Sequence, residues 1–366
     1  MKNIGIFFGG QSIEHDISCI TGTLAVNSVD SFKYNVIPIY VDHDGKWWTG
    51  ELLKDVGFFK NPDFKKLKRV VLFAGDDCLY IVKGKKVKPL AKLSACINCI
   101  HGERGEDGSL CGLLNMSSIP LASPPLFASS VSMSKSFSKI ALKGLGVKTL
   151  PYALAKSRED AILIERKLGY PLIIKPDTGG SSIGISVAEN RAELERGILT
   201  AIRYGEVAII EPLVKDFTEI NCACYNSGET WVVSECERPL PRSTILSFDD
   251  KYRSGDRVFP ADIDKETSDK IKKTTQKVYE NLGFSGIIRV DYIVKGKDVF
   301  LNEINSVPGS LAYYLFVKTT KEFASLLEQI ISVALNEGAR RSTYTKKFNS
   351  GILSSVGSKG AKRLKN

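Results

Sequence analysis

The chain has 366 residues, of which 43% are hydrophobic and 25% are charged, and its formal net charge is +10. A chain of this length usually forms more than one hydrophobic core, so two or three domains are predicted. The composition is that of a globular protein, and no apolar run approaches the roughly 18 residues of a membrane-spanning helix, so no membrane partner is expected.

The positive charge is concentrated in the last part of the chain. Residues 339–366 contain eight Lys or Arg side chains and no acidic one, which leaves +2 for the rest. A short basic segment with few aromatic residues is typically a solvated end. We therefore expect a basic tail and no specific nucleic-acid partner.

Two features predict a cytoplasmic protein. The first residues turn polar at Gly9 and Gly10 after a short apolar run, which is unlike a signal peptide. The eight cysteines are too few for a disulfide scaffold in a chain of this length, so reduced, buried thiols are expected. Cys96 and Cys99 have a CxxC spacing, but residues three apart in a strand face opposite sides, which does not favour zinc binding.

The first 129 residues alternate between predicted strands and helices. The predicted strands lie at 4–8, 34–41 and 95–100. This order is typical of an open parallel α/β sheet, whose ligands bind at the carboxyl ends of the strands. The turns that begin at Gly9 and His101 follow two of these strands.

The sequence from residue 130 onward predicts two α+β domains. A helix and a buried strand are predicted in the first, and long strands and two helices in the second. A loop at 239–260, rich in Pro, Ser, Asp and Gly, is too long for a simple connector and is predicted to be a functional cover. The predicted units are an N-terminal domain at 1–129, a central domain at 130–212, a C-terminal domain at 213–338 and a tail at 339–366.

A predicted antiparallel hairpin combines one arginine, two carboxylates and one amide. Its two strands are rich in Ile, Val and Tyr and are joined by turn-forming residues. Residues two apart in a strand face the same side, so Arg289 shares a face with Asp291, as Glu303 does with Asn305. With a three-residue loop, Asp291 faces Glu303 directly. Opposed carboxylates repel unless a cation lies between them, so Mg²⁺ or Mn²⁺ is predicted here, with an ordinary solvated hairpin as the alternative.

Three further segments carry candidate binding groups. The glycine-rich loop that begins at Lys175 can surround phosphate oxygens with backbone N–H groups, and the lysine can reach the same anion. Glu211 and Glu219 flank a predicted crossing between domains, where a carboxylate can hold ribose hydroxyls. Glu14 lies in the first turn of a helix, and His101 begins a loop with three glycines. A flexible hairpin, a helix cap and a packed histidine are the structural alternatives.

Seven motifs in one order resemble the D-alanine–D-alanine ligase family of the ATP-grasp superfamily. In order they are GGxSxEHxxS, HGxxGEDGxxxGLL, MxKxxxK, KPxxxGSSxG, Lys251-Tyr252, RxD and NExNxxPG, and the resemblance covers residues 1 to about 335. The resemblance implies a three-domain ATP-grasp fold, in which an N-terminal α/β domain precedes two α+β domains that enclose ATP. It also implies the ATP-dependent joining of two D-alanines through an acyl phosphate, for peptidoglycan precursor synthesis, by a homodimer.

The resemblance further implies a role for each matching residue. The ATP-binding residues would be Lys135, Lys175, Ser182, Glu211 and Glu219. The catalytic residues would be Glu14, Ser181, Tyr252 and Arg289. The substrate-binding residues would be His101, Lys251, Ser310 and Tyr314. Two Mg²⁺ or Mn²⁺ ions would bind Asp291, Glu303 and Asn305.

The segment for the second substrate departs from the family pattern. The usual NTxPGxTxxS reads NSVPGSLAYY here, so Tyr314 stands where a late serine helps to hold the second carboxylate. Pro212, directly after Glu211, offers no backbone N–H to adenine. Ligation of D-alanine to D-serine, D-lactate or another amino acid is therefore an alternative function. A relative that binds nucleotide without ligating is a further alternative.

Overall fold

The computed structural model describes residues 1–180, 183–240 and 256–356. The predicted site residues Ser181, Ser182, Lys251 and Tyr252 lie outside these ranges. Within the ranges, the strands form one sheet of seven strands, two sheets of four strands and a two-stranded ribbon. None of the described helices is both long enough and apolar enough to cross a membrane.

The N-terminal sheet is only partly parallel. Its strands are β1 (Lys2–Gly9), β2 (Tyr34–Val41), β3 (Trp47–Thr49), β4 (Lys68–Leu72), β5 (Cys78–Lys83), β6 (Lys86–Lys92) and β7 (Ala95–Asn98). In the order β6-β5-β4-β3-β2-β1-β7, β1 pairs in parallel with β2 and β7, whereas the pairs from β2 to β6 are antiparallel. The predicted open α/β sheet is confirmed for three strands. Three of the four antiparallel pairs are joined by connections of five residues or fewer, which are too short to join parallel neighbours.

Two antiparallel sheets and a ribbon follow along the chain. The second sheet contains β8 (Ala153–Ala155), β9 (Leu172–Pro176), β10 (Ser186–Ala188) and β11 (Ala208–Pro212), in the order β10-β9-β11-β8. The third contains β12 (Thr218–Asn226), β13 (Trp231–Val233), β16 (Ile287–Lys295) and β17 (Asp298–Asn305), in the order β13-β12-β16-β17. The ribbon pairs β14 (Arg238–Pro239) with β15 (Arg257–Val258).

The described helices cover these sheets. They are α1 (His15–Ser28), α2 (Ser109–Met116), α3 (Leu126–Met133), α4 (Lys135–Gly144), α5 (Ala161–Leu168), α6 (Arg191–Ala201), α7 (Lys265–Asn281) and α8 (Thr320–Ser342). Side chains of Ser134, Asn190, Asp264 and Thr319 accept hydrogen bonds from backbone N–H groups at the starts of α4, α6, α7 and α8. Because α8 ends at Ser342, the first residues of the predicted basic tail are helical.

The two faces of the third sheet differ in polarity. Cys222 and Val290 pair across β12 and β16 and are buried in one hydrophobic cluster with Ile271 of α7. Successive residues in a strand point to opposite faces, so the neighbours of these residues project away from α7. Asp291 and Glu303 lie on this second face, which is free of α7 and available for a ligand.

α1 packs closely against β1 through a glycine. A Cβ at Gly22 would lie 2.2 Å from the Cβ of Phe8, whose side chain is fully buried. The missing side chain lets the helix approach the strand at this point. The contact positions the start of α1, where Glu14 precedes the helix, beside the carboxyl end of β1.

We expect Gly22→Ala to lower the free energy of unfolding by about 1–3 kcal/mol, because the new methyl group overlaps Phe8. Alanine otherwise favours a helix over glycine by about 1 kcal/mol. Gly144→Ala is the matched control, since no atom outside its own helix lies within 4 Å of that position, and it should be neutral or stabilising. Urea unfolding compares the two variants, and equal stabilities would contradict the close contact.

Candidate functional site

The polar face of the third sheet carries the predicted metal ligands. Asp291 lies opposite Glu303, and Arg289 lies opposite Asn305, across β16 and β17. Nε and Nη2 of Arg289 donate to the two carboxylate oxygens of Asp291 at 2.7 and 2.9 Å. Nδ2 of Asn305 donates to Oδ2 of Asp291 at 3.0 Å. Burial disfavours the charged arginine, but Asp291 outweighs this effect and raises the pKa of Arg289.

The predicted opposition of the carboxylates is confirmed, but the predicted three-residue loop is wrong. Lys295 pairs with Asp298, so the turn contains two residues. A β-bulge at Asn302 then adds one residue to β17 and brings Glu303, rather than Asn302, opposite Asp291. The bulge also lets Oδ1 of Asn302 approach a lysine of the second sheet.

Glu211 is held between two lysines. Its Oε2 lies 2.8 Å from Nζ of Lys175, and its Oε1 lies 2.5 Å from Nζ of Lys139. Burial disfavours the carboxylate, yet the two lysines prevail and lower the pKa of Glu211 to about 2. At Lys175 the negative charge of Glu211 outweighs burial, so the pKa of this lysine is raised. At Lys139 burial is the larger effect, so the pKa of that lysine is lowered. Lys139 is the second lysine of the MxKxxxK motif, but no role was predicted for it, although its place one helical turn after Lys135 is a usable signal.

The start of α4 directs Lys135 towards the third sheet. Oγ of Ser134 donates to Oδ2 of Asp177 at 2.6 Å, which ties the helix to the glycine-rich loop after β9. Nζ of Lys135 donates to the carbonyl oxygen of Gly179 at 2.6 Å and lies 3.5 Å from Oε1 of Glu303. Lys135 therefore bridges that loop and the carboxylate face.

A cavity of about 570 Å³ is enclosed by the second and third sheets. Its charged lining includes Lys135, Lys175, Glu211, Glu219, Asp291 and Glu303. Its apolar lining includes Ile173, Ile185, Leu213, Phe217 and Ile293. This volume and this combination of apolar walls with a few charged groups suit a ligand the size of a nucleotide.

A second cavity of about 40 Å³ adjoins the first, and the two share Gly179, Gly180 and Glu303. Its polar lining includes Glu14, His101, Glu106, Arg289 and Asn305. A Cβ at Gly180 would lie 3.3 Å from Oε1 of Glu14, so the glycine-rich loop lies against that carboxylate. The two cavities form one site with a large and a small compartment.

Glu106 belongs to the small compartment, although sequence analysis did not assign it. Its Oε2 accepts a hydrogen bond from the backbone N–H of Gly102 at 2.8 Å, and its Oε1 accepts one from that of Val307 at 3.0 Å. Burial, followed by the negative charge of Glu14, raises the pKa of Glu106 to about 8. The carboxyl group is therefore mostly protonated at neutral pH. The sequence did contain a signal for this role, because Glu106 is an acidic residue within a loop that contains three glycines.

His101 connects the small compartment to the segment predicted for the second substrate. Its Nε2 lies 2.9 Å from Oγ1 of Thr21, which also accepts a hydrogen bond from the backbone N–H of Ser310 at 3.0 Å. Burial lowers the pKa of His101 to about 4, so the imidazole is neutral near pH 7. In this contact Ser310 acts through its backbone.

The same segment places Tyr314 beside Arg289. The three residues before Tyr313 have φ angles of 51°, 52° and 48°, at Ser310, Leu311 and Ala312. This left-handed region is uncommon for residues other than glycine. Beyond this turn, Tyr314 lies near Arg289: burial raises the pKa of Tyr314, and the positive charge of Arg289 opposes this effect. The structure thus brings the altered family position to the arginine of the small compartment.

Two family models match the chain. Residues 3–124 match the D-ala D-ala ligase N-terminus, and residues 142–335 match the D-ala D-ala ligase C-terminus. A curated relative from Thermosipho melanesiensis, named D-alanine--D-alanine ligase, is 33% identical over 345 residues, which are 92% of this chain and 94% of the relative. The chain belongs to the D-alanine–D-alanine ligase family.

Solved structures agree with this family assignment. The D-alanine–D-alanine ligase of Helicobacter pylori has a TM-score of 0.75 and 28% identity, over 90% of this chain and 98% of its own. VanG, a D-Ala:D-Ser ligase from Enterococcus faecalis, has a TM-score of 0.78 and 25% identity, over 91% of this chain and 99% of its own. The predicted family, fold class and enzyme class are confirmed. Use of ATP and a divalent cation follows from membership of the D-alanine–D-alanine ligase family.

The ligase fold brings the described site residues together around the two compartments. Those at the large compartment are Lys135, Lys175, Glu211, Glu219, Asp291 and Glu303. Those at or beside the small one are Glu14, His101, Arg289, Asn305, Ser310 and Tyr314. The predicted roles of these residues stay predictions.

Glu211→Gln should lower the free energy of unfolding by about 3–5 kcal/mol at pH 7, because two buried lysines lose their counter-charge. The contribution of Glu211 is complete above its ordinary pKa of 4.5 and is lost as the pH falls towards 2. The stability gap between variant and parent should therefore narrow at pH 3. Denaturant unfolding at both pH values measures it, and a constant gap would contradict the pairing. Glu328→Gln, which breaks an exposed ion pair with Lys33, is the control and should cost at most about 1 kcal/mol.

Glu106 should make the parent protein less stable as the pH rises from 5 to 8. Between the ordinary pKa of 4.5 and its raised value of about 8, the folded protein keeps a proton that the unfolded chain releases. The free energy of unfolding then falls by up to about 1.4 kcal/mol per pH unit. Glu106→Gln removes this dependence, so its stability relative to the parent should increase with pH. Unfolding curves from pH 5 to 8 measure the trend, which a pH-independent difference would refute.

Proposed function

We propose that this protein joins two D-alanine molecules to D-alanyl-D-alanine with hydrolysis of ATP to ADP and phosphate. The observation that carries the proposal is the pair of adjoining compartments. The large one combines a nucleotide-sized volume with Lys135, Lys175 and the carboxylates of the third sheet, and the small one combines Glu14 with Arg289. A phosphoryl donor and an amino acid can therefore meet at Glu303, which lines both.

In the large compartment, Lys135 and Lys175 would bind the phosphates of ATP and Glu219 the ribose hydroxyls. The contacts of Glu211 suggest a different role from the predicted direct one. Because both of its carboxylate oxygens are paired with lysines, Glu211 would orient Lys175 towards the phosphates. Ser182, which would complete the nucleotide contacts, lies outside the described residues.

The carboxylate face fits divalent cations in its donor chemistry. Asp291, Glu303 and Asn305 offer hard oxygen donors, which suit Mg²⁺ or Mn²⁺, and two ions are proposed. Within the described ranges, no three His, Cys, Asp or Glu side chains form a metal-binding cluster. Cations here would therefore share their ligands with substrate phosphates, as Mg²⁺ commonly does. When bound, they would offset negative charge on those phosphates.

The reaction would take place in two steps. The carboxylate of the first D-alanine attacks the γ-phosphorus of ATP, which forms D-alanyl phosphate and releases ADP. The amine of the second D-alanine, after losing a proton, attacks the carbonyl carbon, and the bond to the phosphate oxygen breaks. An acyl phosphate hydrolyses in water, so the recessed small compartment would limit the access of water to it.

The residues of the small compartment would orient the first amino acid. Glu14 would bind its ammonium group, and neutral His101 would lie beside it without adding charge. Arg289 would stabilise the oxyanion of the tetrahedral intermediate, because Asp291 holds its guanidinium in the site. Ser181 and Tyr252, proposed to close the site over Glu14, and Lys251, proposed for the second carboxylate, lie outside the described residues.

The wider setting rests on the family resemblance. The chain is proposed to have domains at 1–129, 130–212 and 213–338 with a tail at 339–366, to act in the cytoplasm in peptidoglycan precursor synthesis, and to form a homodimer through the N-terminal domain. Light scattering after size-exclusion chromatography tests the dimer, and a single species with the mass of one chain would rule it out.

We expect ATP-dependent phosphate release with D-alanine alone, and D-alanyl-D-alanine as the product by mass spectrometry. Arg289→Lys keeps a charge but loses the planar fork, so kcat should fall by about 10²–10³-fold with little change in ATP affinity. A product that appears only with D-serine or D-lactate would move the function to another acceptor. ATP binding with no turnover on any acceptor would mean that the chain does not ligate.

A further inference from the structure

Three side chains meet beside the small compartment without a role in the reaction described so far. The guanidinium carbon of Arg257 lies 4.4 Å from the centre of the Tyr314 ring. Nη1 of Arg257 donates to Oε1 of Glu237 at 3.1 Å. Within the described ranges, this is the only hydrogen bond of the Arg257 side chain, which is 35% exposed.

The position of Glu237 is determined by the third sheet. Backbone N–H groups of Asn221 and Glu237 donate to each other's carbonyl oxygens at 2.8 and 2.9 Å. Nδ2 of Asn221 also lies 3.3 Å from Oε2 of Glu237, which is 4% exposed. Asn221 pairs with Asp291 across β12 and β16. Arg257 is thus attached, through Glu237 and Asn221, to the strand that carries the reacting-site arginine.

Tyr314 lies between two guanidinium groups. Arg289 lies near its hydroxyl group, and Arg257 lies over its ring in a cation–π contact. Each arginine has its own buried carboxylate, Asp291 for Arg289 and Glu237 for Arg257. Because these carboxylates offset the two charges, the pair can stay close together before any substrate binds.

The geometry suits an α-amino acid that presents its amine to the acyl group at Arg289. In such a molecule one carbon separates the amine from the carboxylate, so a carboxylate bound on the side of Tyr314 would lie only a few ångströms from the reacting amine. A planar guanidinium binds a carboxylate with two parallel hydrogen bonds. The serine that helps to hold this carboxylate in the family is replaced here by Tyr314. Arg257 can supply a donor at this place in addition to Lys251.

We propose that Arg257, held over Tyr314 by Glu237, is a specificity-determining residue that binds the carboxylate of the acceptor amino acid. This inference rests on the proposed function and names the class of acceptor, a small amino acid with a free α-carboxylate. Glu237 acts as a positioning residue, because it touches Arg257 and not the substrate.

Steady-state kinetics with D-alanine test the proposal, because the donor and acceptor sites have separate KM values. Arg257→Gln should raise the acceptor KM by about 10- to 100-fold, the value of one or two hydrogen bonds to a charged group, and leave the donor KM and the KM for ATP unchanged. Arg257→Lys keeps the charge without the fork and should be intermediate. An unchanged acceptor KM, or an equal rise in both amino-acid KM values, would overturn the proposal.

The matched control is Arg340→Gln. Arg340 also pairs with a glutamate, Glu337, and lies over a tyrosine ring, that of Tyr344, at 5.7 Å, but at the exposed end of α8. The Arg340→Gln variant therefore also loses an arginine, an ion pair and a cation–π contact, but at a place away from the site. No KM should change. A comparable rise in the acceptor KM in this control would attribute the effect of Arg257→Gln to lost stability and overturn the assignment.

D-Alaninamide as acceptor isolates the carboxylate, since it has the amine but not the negative charge and cannot serve as donor. The parent protein should prefer D-alanine over D-alaninamide by about 10- to 100-fold in kcat/KM, and Arg257→Gln should lose most of that preference. If Arg257→Gln still prefers D-alanine over D-alaninamide to the same extent, another group binds the carboxylate.

Binding of the dipeptide separates this inference from the proposed function. Calorimetric titration of D-alanyl-D-alanine and of its C-terminal amide into the protein with ADP needs no turnover. One outcome is that ligation fails while the parent still binds the free dipeptide more tightly than its amide and Arg257→Gln does not. In that case the role of Arg257 is supported, and only the proposed reaction is wrong. Equal preferences in the two proteins, or no binding of the dipeptide to the parent, would overturn the role of Arg257.

Discussion

The opposition of Asp291 and Glu303 on one face of the third sheet is the constraint on which the rest of the site depends. Two carboxylates at adjacent cross-strand positions need nearby positive charge. Arg289 supplies it from the same strand, and Lys135 supplies it from the start of α4. Lys175 approaches from the second sheet through Asn302 at 3.4 Å. Charge neutralisation therefore brings the glycine-rich loop, α4 and the third sheet to one place, where a triphosphate with its cations would be bound.

Alternation along the strands was enough to predict which side chains share the polar face, because a strand has a period of two residues. The register was predicted correctly through the wrong connection. A three-residue loop and a two-residue turn with a bulge at Asn302 both bring Asp291 opposite Glu303. Residue patterns do not reveal a bulge, since its signature is one unpaired residue in an otherwise regular strand. The pairing of Lys139 was not predicted for a different reason: its partner Glu211 lies on another element, so only the folded chain brings the two charges together.

The left-handed turn at Ser310, Leu311 and Ala312 could not be predicted, because none of these residue types favours positive φ. Each such residue costs roughly 1 kcal/mol or more, and the surrounding structure has to compensate. The backbone N–H of Ser310 donates to Thr21, and Leu311 and Ala312 are buried among residues of the N-terminal sheet and α8. The turn thus connects α1 to the second-substrate segment. The turn determines the direction of the Tyr314 side chain. The sequence shows that this family position is altered, but it does not show where the side chain points.

Two acids at or beside the small compartment carry no uncompensated charge before any amino acid binds. Asp291 is paired with Arg289, and Glu106 keeps its proton at neutral pH because burial and Glu14 raise its pKa to about 8. Glu14 is then the carboxylate best placed to receive an ammonium group. A bound ammonium would stabilise the ionised form of both acids, so its arrival would lower the pKa of Glu106 and favour release of the proton. Binding of a cationic amine would in this way be linked to the release of a proton from a buried acid.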